Sequence, residues 1–107
     1  MRVWKDVQDA NLDEKIVQQI RDVGRKFDLN RIILFGSRAT KKNWERSDID
    51  LCLDIDDSEL YLDVIEALEN EVQTLLIFDV CNKNRFNYSL ALDQEIQRDG
   101  VILYEKV

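Results

Sequence analysis

Apolar residues recur along this chain first at helical spacing and then in short runs, and the alternation between the two periods sets out its elements. Leu12, Ile16, Ile20, Val23 and Phe27 line one helical face behind Asn11, which has Glu14 three residues on, so residues 12–27 are expected to form an amphipathic helix capped by Asn11. Arg31-Ile-Ile-Leu-Phe35 is a β-branched and apolar run ended by Gly36, the pattern of a buried strand. Residues 37–46 are polar and predict a short helix followed by a loop. Asp48 to Leu53 alternates acidic and apolar positions, then stays apolar, and predicts a second strand. Asp57 or Ser58 can cap a helix reaching about Val72, with Leu60, Tyr61, Val64, Ile65 and Leu68 inward. Leu75 to Val80 predicts a third strand, and Tyr88 to Arg98 a last helix using Leu92 and Ile96. Asp99-Gly100 should stop that helix, with Gly100 in a left-handed cap, and Val101 to Tyr104 can add a fourth strand. The order predicts an α/β or α+β fold in which helices cover a small mixed sheet.

Composition narrows the picture. A chain of 107 residues, 45% of them hydrophobic, is expected to form one domain over 1–107 with a real core. Its longest apolar runs, such as Leu75 to Phe78, fall far short of the roughly 18 residues of a membrane span. Met1 to Ala10 mixes charges with Val3, Trp4 and Val7, unlike a signal peptide, so a cytoplasmic protein is expected. The absence of histidine excludes Ser-His-Asp and Cys-His pairs and His-ligated zinc, leaving carboxylate chemistry. Cys52 and Cys81 lack the spacing of a metal knuckle and are expected as reduced, buried small hydrophobes, a disulfide between them being disfavoured in a cytosolic chain.

The net charge of −7 is unevenly spread. Residues 36–46 carry Arg38, Lys41, Lys42 and Arg46 against Glu45, whereas residues 47–79 carry eleven acids and no base. Most of those acids belong to a solvated helix. Asp48 and Asp50 are different, because residues two apart on a strand point the same way and both carboxylates project together. Like charges so placed repel unless a cation lies between them, and an open carboxylate pair suits magnesium, which keeps water and substrate phosphates as its other ligands. An EF-hand over Asp48, Asp50, Asp54 and Asp56 fails for want of the required Gly and terminal Glu. Asp79 is embedded in an apolar run and, if its strand pairs beside Asp48 to Leu53, it completes a three-carboxylate site or serves as general base. Gly36-Ser37, at the end of a strand, offers a close backbone approach and a hydroxyl donor to an anion such as phosphate.

Read together as GSRATKKNWERSDIDL, Gly36-Ser37, ten intervening residues and Asp48-Ile49-Asp50-Leu51 resemble the signature of the polymerase-β-type nucleotidyltransferases. More narrowly, the chain resembles the minimal nucleotidyltransferases that accompany HEPN-domain proteins in toxin-antitoxin pairs. Members often have a second glycine and a smaller loop, where this chain has Thr40-Lys41-Lys42-Asn43-Trp44. The resemblance implies that Gly36, Ser37, Arg38 and Ser47 contact a nucleoside triphosphate, ATP, and that Asp48, Asp50 and Asp79 hold two Mg2+ ions. It further implies attack on the α-phosphorus, with Asp79 helping to deprotonate the attacking hydroxyl, transfer of AMP from ATP, and release of pyrophosphate. Arg38, Lys41, Lys42 and Arg46 would steer the anionic nucleotide.

No residues are left over for an acceptor-binding domain, so the acceptor is expected on another chain. The resemblance implies a HEPN toxin, neutralised by AMP transfer to a tyrosine. The alternative is a non-catalytic antitoxin that neutralises its partner by complex formation. Trp4, Val7 and Trp44 are candidate partner contacts. Direct nucleic-acid binding is disfavoured by the net charge.

Overall fold

The computed structural model describes residues 10–84 and 88–106. Trp4 and Val7 lie outside them. Helix α1 (Glu14–Lys26) leads into strand β1 (Arg31–Phe35), followed by β2 (Ile49–Leu53), α2 (Ser58–Glu71), β3 (Phe78–Asn82), α3 (Leu90–Asp99) and β4 (Val101–Glu105). The four strands form one mixed sheet in the order β3-β2-β1-β4. Strand β1 runs antiparallel to both β2 and β4, whereas β2 and β3 are parallel and α2 makes the crossover between them. This is the expected α+β arrangement of helices on a small sheet.

Strand alternation divides the core between two faces. Ile32 and Leu34 of β1, Ile49, Leu51 and Leu53 of β2, and Val101 and Leu103 of β4 pack with Val17, Ile20 and Val23 of α1 and with Val64 and Leu68 of α2. Ile33, Phe35 and Cys52 face the other way, beneath Ile96 and Leu92 of α3. Helix α1 approaches β4 closely at Gly24, where a Cβ would stand 2.7 Å from the Tyr104 ring. Among the described residues, no helix is long and apolar enough to cross a membrane.

The structure corrects the expected elements at several points. Asp13, not Asn11, caps α1, accepting from the Lys15 amide at 2.8 Å. Asn11 is instead tied to the loop after β1, through its amide to the Arg38 carbonyl and its side chain to Asn43. The short helix expected after Gly36 is a set of turns in which Ala39 and Thr40 both donate to the Gly36 carbonyl and Lys42 to that of Ser37. The third strand begins at Phe78 rather than Leu75, because the Thr74 hydroxyl accepts from Leu76 N–H in a local turn and leaves Leu75 and Ile77 exposed. Helix α3 begins at Leu90, after its cap Ser89. Gly100 ends it in an extended conformation with φ of −61°, not a left-handed one, since the chain passes directly into β4.

Candidate active site

Three strand ends meet where Phe35, Asp50 and Asp79 come into register. Phe35 is the partner of Asp50 across β1 and β2, and Asp50 is the partner of Asp79 across β2 and β3. Alternation sends both acids to the face that α3 covers, opposite α1 and α2. The condition set by the sequence, that the strand of Asp79 lie beside that of Asp50, is met. Asn82 holds this register: buried at the end of β3, it accepts from Ile55 N–H at 3.0 Å and donates to Ile55 C=O at 2.9 Å. A slip of one residue would turn Asp79 onto the opposite face.

Asp50 is half-buried, while Asp79 on the edge strand and Asp48 just ahead of β2 are exposed. Burial first, then the negative charges of Asp79, Asp48 and Glu95, push the Asp50 carboxyl up from 3.8 to about 6. Glu95 escaped the sequence reading. It precedes the buried Ile96 on α3, and only the packing of α3 over this face brings its charge to Asp50. Leu92 and Ile96 gave the helical spacing from which Glu95 could be placed on the flank of the inward stripe.

Gly36 follows Phe35 with φ of 75°, a region that disfavours any side chain, and a Cβ there would collide with the Asp50 carboxylate. Backbone and carboxylate are thus in direct contact at the turn. Ser37 is half-buried at this turn, and among the described residues its hydroxyl makes no hydrogen bond.

Arg38 has a different environment from the one expected of a phosphate-facing cation. Only 6% exposed, it donates from Nε to Ser47 C=O, from Nη1 to Asn11 C=O and from Nη2 to Glu45 C=O, each at 3.0 Å. Its guanidinium therefore binds the start of the described chain to the far side of the loop. Ser47 also holds the loop, its hydroxyl accepting from Trp44 N–H at 3.0 Å. Lys41, Lys42 and Arg46 lie exposed on the same loop, as does Trp44.

The donor set at Asp48, Asp50 and Asp79 is made of hard carboxylate oxygens, and burial and then the neighbouring charges raise Asp50, which fits a divalent cation such as magnesium. Among the described residues, no three His, Cys, Asp or Glu side chains converge closely enough to hold one ion together. Asp50 and Asp79 are register partners, and Asp79 is the first of the neighbouring charges that act on Asp50.

A family model described as "Polymerase beta, Nucleotidyltransferase" matches residues 11–107. No curated protein matches the chain. Among solved structures, one described as a toxin-antitoxin with AMP-PNP is similar at 23% identity and a TM-score of 0.58, covering 83% of this chain and 73% of that one. A Sulfolobus solfataricus protein described as a candidate nucleotidyltransferase is similar at 14% identity and a TM-score of 0.48, covering 87% and 86%.

Proposed function

The chain belongs to the polymerase beta nucleotidyltransferase family, and from that premise we propose that residues 1–107 are one minimal domain that transfers AMP from ATP to a hydroxyl of a protein partner in the cytoplasm, as the antitoxin of a HEPN toxin. The observation that carries this reading is the pairing of Asp50 with Asp79 against the glycine turn that bears Ser37.

Ser37 Oγ–H and the amides of its turn would donate to the terminal phosphates of the nucleotide, which the tight approach of Gly36 to Asp50 would keep beside the acids. Arg38 would hold that loop in shape, with Ser47 at its far end. Asp48, Asp50 and Asp79 would hold two Mg2+ ions, which supply charge neutralisation at the attacking and leaving oxygens. Asp79, exposed at the sheet edge, would take the proton of the incoming hydroxyl. That oxygen bonds to the α-phosphorus as the bond from the α-phosphorus to the bridging oxygen breaks, and pyrophosphate leaves with the electron pair. The similar fold of a toxin-antitoxin holding AMP-PNP supports a nucleotide and a protein partner.

Purified protein with magnesium, labelled ATP and the product of the adjacent reading frame should label that product, and Asp48→Asn should abolish the label. Absence of any Asp48-dependent product would defeat the proposal. Exposed Trp44, Leu75 and Ile77 favour a second reading, neutralisation by binding alone. It prevails if the doubly substituted Asp48→Asn, Asp50→Asn protein protects cells fully at native expression.

A further inference from the structure

Two residues beyond each of the paired acids, on the same two strands and the same face, stand Cys52 and Cys81. They are register partners across β2 and β3, and both are free thiols. Parallel neighbours lie about 4.8 Å apart, inside the Cα separation of about 4.4–6.8 Å that a disulfide spans without backbone movement. Both side chains point to the α3 face, where Cys81 packs against the cluster containing Cys52. Neither is needed in the transfer chemistry proposed above.

Access differs between the two. Cys81 is half-buried on β3, which is an edge strand among the described residues. Cys52 is buried, yet among the described residues it lines a cleft of about 530 Å³ together with Ile33, Leu53, Asp54 and Lys83. The cleft at Cys52 and the strand edge at Cys81 are the sides from which a reagent would approach the two thiols.

From this juxtaposition we infer that Cys52 and Cys81 form a thiol–disulfide modification site, closed by a low-molecular-weight disulfide such as oxidised glutathione. One protein sulfur attacks the small disulfide, forming a mixed disulfide and releasing one small thiol, which carries away a proton. The facing protein sulfur then displaces the second small thiol. Two protein thiols are oxidised, one small disulfide is reduced to two thiols, and β3 becomes covalently fixed to β2 beside the acid pair. This site rests on the strand register and on access to the two thiols, and it stands or falls separately from the transfer reaction.

The sequence makes the test direct. No Lys or Arg lies between Arg46 and Lys83, so both cysteines fall within one tryptic peptide, residues 47–83. The full chain is equilibrated with reduced and oxidised glutathione at graded ratios, quenched with an alkylating agent and digested. The expected result is a 47–83 peptide lighter by two hydrogens and carrying no alkyl group, restored by dithiothreitol to the doubly alkylated form. Cys52→Ser and Cys81→Ser should each give a glutathione adduct in place of the internal bond. A wild-type peptide still doubly alkylated at the most oxidising ratio would overturn the inference. So would a persistent glutathione adduct on the wild type, or a disulfide-linked dimer. These readings on the wild type decide the matter even if a serine variant fails to fold.

Discussion

Asp50 excludes any residue larger than glycine at position 36, because the space a Cβ would need is filled by the Asp50 carboxylate, whose Cγ would stand 3.0 Å away. The turn also has φ of 75°, so two separate constraints select glycine at one position. Only one of them concerns the backbone. The other ties the shape of the loop to the placement of an acid.

Replacing Gly36 by Ala should therefore cost about 2 kcal/mol of stability through the positive φ, and should displace Asp50 as well. Urea unfolding measures the first effect and labelled nucleotide transfer the second. A variant with wild-type stability and wild-type transfer would show that the contact is not needed.

Asp50 sets a pH dependence of the metal-free fold. Its carboxyl holds its proton up to about pH 6 when folded but only to the ordinary value of 3.8 when unfolded. Between those values the folded state binds more protons, so this group's contribution to stability falls as pH rises from about 4 to about 6 and is level above that. Partial solvent screening leaves an effect on the order of 1 kcal/mol. Asp50→Asn should accordingly stabilise the metal-free protein by about 1 kcal/mol at pH 7 while removing transfer activity, and the gain should shrink toward pH 4. Urea midpoints across that range test it; a gain independent of pH would refute the assignment.

Arg38 satisfies three carbonyls from one buried guanidinium. Truncation to Met strands those acceptors and should lower stability by about 3 kcal/mol. Arg38→Lys, keeping the charge but losing the planar fork, should fall between the two. Chemical denaturation ranks the three proteins. If Met proves as stable as Arg, the side chain does not hold the loop.

Much of the element order was legible because the apolar positions change period between helices and strands. Strand β1 matched its residues fully, and α2 matched its cap at Asp57 and its inward Val64 and Leu68. The third strand matched only from Phe78, since Leu75 and Ile77 read as strand although a hydroxyl turn at Thr74 leaves them in solvent. Residue types disclosed Asp48, Asp50 and Asp79, but the meeting of Asp50 with Asp79 depends on a parallel pairing that no local pattern encodes. Glu95 joins them only through the packing of α3. The surroundings of Arg38 were not legible for a related reason. A charge in a polar loop suggests solvent, and its burial among carbonyls exists only once the loop has closed.

The crossover between β2 and β3 also has a kinetic meaning. Asp79 reaches Asp50 only when the edge strand docks in parallel after α2 has been laid down, a non-local closure of the kind that forms slowly. The antiparallel pairing of β1 with β2 can form without it. Recovery of transfer activity during refolding would then time the docking of β3 on β2 rather than the collapse of the core, making the acid pair a clock for that step of assembly.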